Sequence, residues 1–196
     1  ALIGHVRFCE GLLRLEPLIA KLFYIDERGE GRDKVYSTLT MENLLNYAHL
    51  RRDIDFSVHP FNEVDMLVCA DLSYVDWDGI VDKEEVSLEK ACRKYLSLNS
   101  AEELKSKYTF SMNLPHLIDA LQDTIRYGSI KLKNYKKVYS DEDVIQFSVV
   151  TLVLPDGSLV LSFSGTDSSI TGWKENLMMT YKQDLPCQIL AKDYVK

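Results

Sequence analysis

The chain has 196 residues, 46% of them hydrophobic and 27% charged, which suits one globular domain with a real core. Its net charge of −7 argues against a general nucleic-acid binder, and no stretch is apolar enough to cross a membrane. The four cysteines, Cys9, Cys69, Cys92 and Cys187, form no C-x-x-C pair, and the four histidines lack ligand spacing, so no metal and no cofactor are expected. Three of the cysteines lie in apolar helical contexts and read as reduced core thiols, which suits a cytoplasmic chain.

The sequence starts at Ala1 rather than Met, which reads as an incomplete or processed start. Residues 11–24 carry a helical apolar stripe, Leu12, Leu15, Ile19, Leu22 and Phe23, interrupted by charges that make it amphipathic rather than spanning. A charged, glycine-containing linker, Asp26 to Lys34, follows. Residues 1–40 therefore read as an extension outside the domain, with a partner-binding helix as the alternative. From Phe61, Val64, Leu67, Val68, Leu72 and Val75 fall on one helical face, with Glu63 and Asp65 near the start, where the helix dipole favours acids. Gly79 is the expected stop. Asp76 and Asp78 lack the further ligands of a cation loop and read as turn residues.

Ser87 is expected to cap a helix to Leu96, and Ser100 to Glu103 is a capping box. Leu114 to Tyr127 reads as one helix with Leu117, Ile118, Leu121 and Ile125 on its inner face. His116, in its first turn, reads as a surface residue. Ile130 to Tyr139 alternates apolar and basic residues, the pattern of an edge strand protected by lysines. Five basic residues from Arg126 to Lys137, interleaved with tyrosines, leave an RNA- or lipid-contacting surface as an alternative. Asp141-Glu142-Asp143 is an acidic turn.

Gln146 to Leu154 and Ser158 to Ser164 then read as a β-hairpin around Asp156-Gly157. The second strand alternates poorly, as a strand buried on both faces does. The segment Ser164-Gly165-Thr166-Asp167-Ser168-Ser169 leaves its end, where α/β folds place ligands. Gly165 lets the backbone approach a ligand closely, and Thr166 offers a hydroxyl beside a backbone N–H, a pair able to hold a negative oxygen. The alternative is a polar turn with Asp167 or Ser168 capping the next helix. Pro186 opens a last helix.

Phe163-Ser164-Gly165-Thr166 with Trp173 and Asn176 resembles the Phe-Arg-Gly-Ser/Thr loop of class 3 lipases, which are α/β-hydrolases. A closer resemblance is to the bacterial Mbeg1-like family. It is carried by Pro60 to Asp65, by Leu-Ser-Tyr-x-Asp-x-x-Gly-Ile-Val from Leu72 to Val81, and by Gln146-Phe147-Ser148. Leu154 to Gly157, Gly165-Thr166-Asp167 and Gly172-Trp173-Lys174-Glu175 complete it, so that it spans roughly residues 41–196.

The resemblance implies an α/β fold, the N-terminal portion of a three-layer α/β-hydrolase-like domain over residues 41–196. It also implies a serine ester hydrolase acting on a small-molecule or lipid ester. Thr166 would be the oxyanion-hole residue, Gly165 and Asn176 its support, and Trp173 part of a lid or lid hinge. Nucleophile, acid and base would follow in later sequence, because no G-x-S-x-G occurs in these 196 residues. Ser164 stands where the family has Arg, and Asn176 where it has Asp, which removes a multi-donor guanidinium and a charge-assisted acceptor. A catalytically inactive interaction domain is therefore the alternative reading.

Overall fold

A computed structural model describes residues 44–100, 103, 114–165 and 169–196. The expected helix and linker before Met41 lie outside the described residues. Residues 44–51 are helical (α1). Helix α2, Glu63–Asp71, begins at Asn62, whose side chain accepts the Val64 and Asp65 N–H groups while the Asp65 carboxylate accepts that of Asn62. These bonds hold three of the N–H groups a helix start leaves over. The helix stops earlier than expected. A 3-10 turn, Leu72–Tyr74, takes over, and Gly79, at φ +69°, belongs instead to a turn in which Ile80 and Val81 donate to the Trp77 carbonyl.

Ser87 caps α3, Leu88–Leu98, as expected, and the helix runs two residues further than its spacing suggests. Ser100 and Glu103 exchange the expected capping bonds. The single helix expected to Tyr127 is in fact two, α4 (Leu114–Leu121) and α5 (Ile125–Gly128). Thr124 causes the break: its backbone is extended and its hydroxyl accepts the Tyr127 N–H. Leu117, Ile118 and Leu121 are buried, but the break turns Ile125 outward. His116 is exposed, as expected.

Four strands follow the order β1 (Val86–Ser87), β2 (Lys131–Ser140), β3 (Ile145–Val153) and β4 (Leu159–Phe163), each antiparallel to the next. The hairpin is as expected: Val153 faces Leu159 across a turn in which Gly157, at φ +83°, donates to the Leu154 carbonyl. A positive φ is a conformation glycine adopts without steric cost. The two-faced burial belongs to β3, not β4. Strand β4 is the sheet's last strand among the described residues, and Leu159 on it is more than half exposed. Beyond its short pairing with β1, β2 is an edge, as its lysines suggested.

Helices cover both faces of the sheet. Val150 and Leu152 of β3, Leu154 just after it and Leu132 of β2 join a core with Val68, Leu72, Trp77, Leu88, Ile118 and Tyr127 from the α2–α5 side. Phe147, Val149 and Thr151 are buried too and alternate with them, so they face the opposite way. There they meet α6 (Ile170–Met178) and α7 (Pro186–Val195). The Thr151 and Tyr194 hydroxyls lie 2.6 Å apart, and Phe147, Phe163 and Tyr194 form a run of ring contacts. The result is a helix–sheet–helix sandwich, with every described strand pair antiparallel.

Candidate functional site

The polar segment after β4 emerges between these layers. Its first two residues, Ser164 and Gly165, are each held by a backbone hydrogen bond, and the groups around them are pinned in turn. The Ser164 N–H donates to the Ser148 carbonyl at 2.9 Å, which carries the hairpin pairing one residue past β4. The Ser148 hydroxyl donates to the Ser73 carbonyl at 2.9 Å, and the Ser162 hydroxyl to the Cys69 carbonyl at 2.8 Å. The Gly165 N–H donates to the Tyr74 hydroxyl at 3.0 Å. A Cβ at position 165 would lie 2.8 Å from that same oxygen. The close approach expected of Gly165 is therefore to Tyr74, a protein group.

Thr166, expected to be the oxyanion residue, lies outside the described residues, as do Asp167 and Ser168. Helix α6 resumes the chain, capped by Ser169, whose hydroxyl accepts the Gly172 N–H; the cap is thus neither Asp167 nor Ser168. Trp173 is exposed on α6, 63% accessible, and Ile170 and Leu177 beside it at helical spacing are exposed as well. Asn176 is half-buried on the same helix. Gly165 is thus paired with Tyr74, whereas Trp173 and Asn176 are positioned by α6.

Two carboxyls fasten α6 to the sheet. Asp141, in the turn between β2 and β3, accepts from the Thr171 and Tyr139 hydroxyls, and these bonds hold its carboxyl below the usual range. Glu175 is buried at 5% exposure, and its Oε1 has no hydrogen-bond partner. Burial raises its pKa, against hydrogen bonds from the Cys187 side chain and the Gln146 backbone. On the other side of the sheet, burial pushes Asp71, just before the 3-10 turn, up to about 6.

The basic surface considered from the sequence loses its first member. Arg126 is fully buried and pairs with Asp65, also fully buried. Lys131 and Lys133 pair with Glu85, and Lys137 with Asp76. Asp76 also accepts the Asp78 N–H, as a turn residue does. Cys69, Cys92 and Cys187 are free thiols, and burial pushes Cys92 up to about 12. Among the described residues no cluster of three or more His, Cys, Asp or Glu could hold a metal, and no helix is long and apolar enough to cross a membrane.

A cavity of about 320 Å³ is lined by Asp55, Phe56, Pro60, Phe61, Leu154 and Pro155, among others. It opens at the turn end of the hairpin. Gly165 lies at the other end, separated by the five residues of β4, about 17 Å of strand. The cavity is therefore not part of the segment after β4.

Residues 121–196 match the Mbeg1-like family model. That span holds the Gln146, Leu154, Gly165 and Gly172 motifs, so the family resemblance is borne out there; the blocks at Pro60 and Leu72 precede it. No curated protein and no solved structure matches the chain. Sequence reasoning assigned no role to Tyr74 or Glu175. Glu175 stands inside the matched span, in the Gly172 to Glu175 motif, and Tyr74 before it, and nothing in the local pattern singled out either one.

Proposed function

We propose that this chain is the N-terminal part of a serine ester hydrolase of the α/β-hydrolase type, acting on carboxylic esters, those of lipids included. The observation that carries the reading is the fixed exit of the chain from β4. Ser164 and Gly165 are tied by their N–H groups to Ser148 and Tyr74, between two helical layers, immediately before the Thr166 that matches the lipase oxyanion position. Thr166 donates its N–H and hydroxyl to the oxygen of the tetrahedral intermediate, and each such donor is worth about 3–4 kcal/mol of transition-state stabilisation. Gly165 and Asn176 support the loop. Trp173, on the exposed stripe of α6, belongs to a lid or lid hinge over the site.

The nucleophile, its acid and its base come from sequence after Lys196, in the order that the lipase resemblance implies. The serine attacks the ester carbonyl as histidine takes its proton, histidine gives that proton to the departing alcohol, and water, deprotonated by the same histidine, releases the acid and restores the serine. Ser164 and Asn176 favour a second reading, an inactive domain of the same fold, because both weaken the loop's support. A longer protein from the source reading frame separates the two. Labelling by a fluorophosphonate, lost when a Gly-x-Ser-x-Gly serine is replaced by Ala, supports the enzyme. A protein that carries such a serine but neither labels nor turns over short-chain nitrophenyl esters is the inactive domain.

A further inference from the structure

We propose that Tyr74 is the positioning residue for the segment that leaves β4, and that its hydroxyl, rather than a ligand, is what requires glycine at position 165. In its catalytic consequence this rests on the oxyanion reading above; in its geometry it does not.

Glycine is usually explained by a positive φ or by a close neighbour. Gly79 and Gly157 have positive φ, whereas Gly165 does not. What stands against Gly165 is the Tyr74 oxygen, 2.8 Å from where a Cβ would sit. That oxygen is not easily displaced. Tyr74 ends the 3-10 turn Leu72–Tyr74, and the turn is tied to the sheet by the Ser148 hydroxyl on the Ser73 carbonyl and, just before it, by Ser162 on Cys69. Leu72 and Ser73 are fully buried. A rigid ring carried on a pinned turn therefore sets the height at which the chain leaves the sheet.

The hydrogen bond has a second consequence. The Ser164 N–H is committed to Ser148 and the Gly165 N–H to Tyr74. Neither is open to a substrate carbonyl, so the donor register of the loop starts after Gly165. Tyr74→Phe releases the Gly165 N–H and adds a competing donor one residue too early. The ground-state complex should tolerate this, and the transition state should not.

A double-mutant cycle on this chain reads the contact without any activity. Gly165→Ala should lower the folding equilibrium constant by roughly tenfold or more in the native background, and by less than about threefold when combined with Tyr74→Phe, because the oxygen it strikes is gone. Additive effects would overturn the proposal. In Tyr74→Phe alone, amide exchange at Gly165 should speed up by about tenfold while the Val150 and Leu152 amides keep their rates. Unchanged exchange at Gly165, or an equal gain at all three, would also overturn it. In a longer protein with ester hydrolase activity, Tyr74→Phe should lower kcat and leave KM unchanged. Coupling in the cycle with unaltered kcat would confirm the contact and remove the catalytic role. Absence of any hydrolysis would count against the oxyanion reading, while the coupling measured in the cycle would still decide the contact.

Discussion

At the scale of single residues, the Asp65–Arg126 pair stands out among the described ion pairs. Both are fully buried. Asp65 accepts from Arg126, the Tyr127 hydroxyl and the Asn62 N–H, while the Arg126 guanidinium donates to the Ile54, His59 and Pro60 carbonyls and sits 4.3 Å over the Phe56 ring. One ion pair thereby gathers α2, α5 and the loop between α1 and α2. A buried pair adds little net stability compared with well-packed apolar residues, but breaking it leaves a charge stranded. Arg126→Met should cost about 3–5 kcal/mol in urea unfolding, and Arg126→Met with Asp65→Leu distinctly less than twice that. A loss under about 1 kcal/mol for the single change would mean that solvent reaches Asp65. This pairing was hidden in the sequence, because the partners lie 61 residues apart and Arg126 comes shortly before a lysine-rich strand, with whose basic residues it was grouped.

At the scale of elements, α6 is held by two carboxyls whose pKa values move in opposite directions. Glu175 is raised by burial, so the stability it contributes is full below the ordinary carboxyl value of about 4.3 and is lost as pH rises through its folded value. Asp141 is lowered by Thr171 and Tyr139, so its contribution is present above the ordinary value and is lost as pH falls through its folded value. The docking of α6 should be firmest between the two. Glu175→Gln should flatten the loss on the alkaline side and leave the acid side unchanged, measured as unfolding free energy from about pH 2 to about pH 8. A parallel curve at all pH values would show that Glu175 does not titrate in that interval. Other elements were legible to different degrees. The hairpin was plain because Asp156-Gly157 is strong turn chemistry between β-rich runs. The break between α4 and α5 was not, because apolar spacing runs on through Leu121 and Ile125 while the Thr124 hydroxyl captures the backbone. The burial of β4 could not be read, since it depends on what lies beyond the strand's outer edge.

At the scale of the whole molecule, the described core runs from Ala48 to Leu185 and has helices on both faces of one sheet. We propose that residues 1–40 are an extension outside this domain. A chain starting at Met41 should stay soluble and unfold cooperatively within a few degrees of the full chain. Insolubility of the shorter chain alone would place the first segment in the core. The helices and the hairpin were legible in the spacing, whereas the layering was an implication of the family resemblance, and the candidate site followed from the Gly165-Thr166 motif rather than from any pattern of burial. The group that fixes Gly165, Tyr74, was out of reach because it is supplied 91 residues earlier.

The central claim, that the segment after β4 is an oxyanion loop, is tested most directly by Thr166→Val in a longer protein that hydrolyses esters. The change keeps the β-branched shape and the backbone N–H and deletes only the hydroxyl. If the hydroxyl donates in the transition state, kcat falls by roughly a hundredfold or more while KM changes little and stability by less than about 1.5 kcal/mol. An unchanged kcat, or a large loss of stability in its place, would contradict the claim.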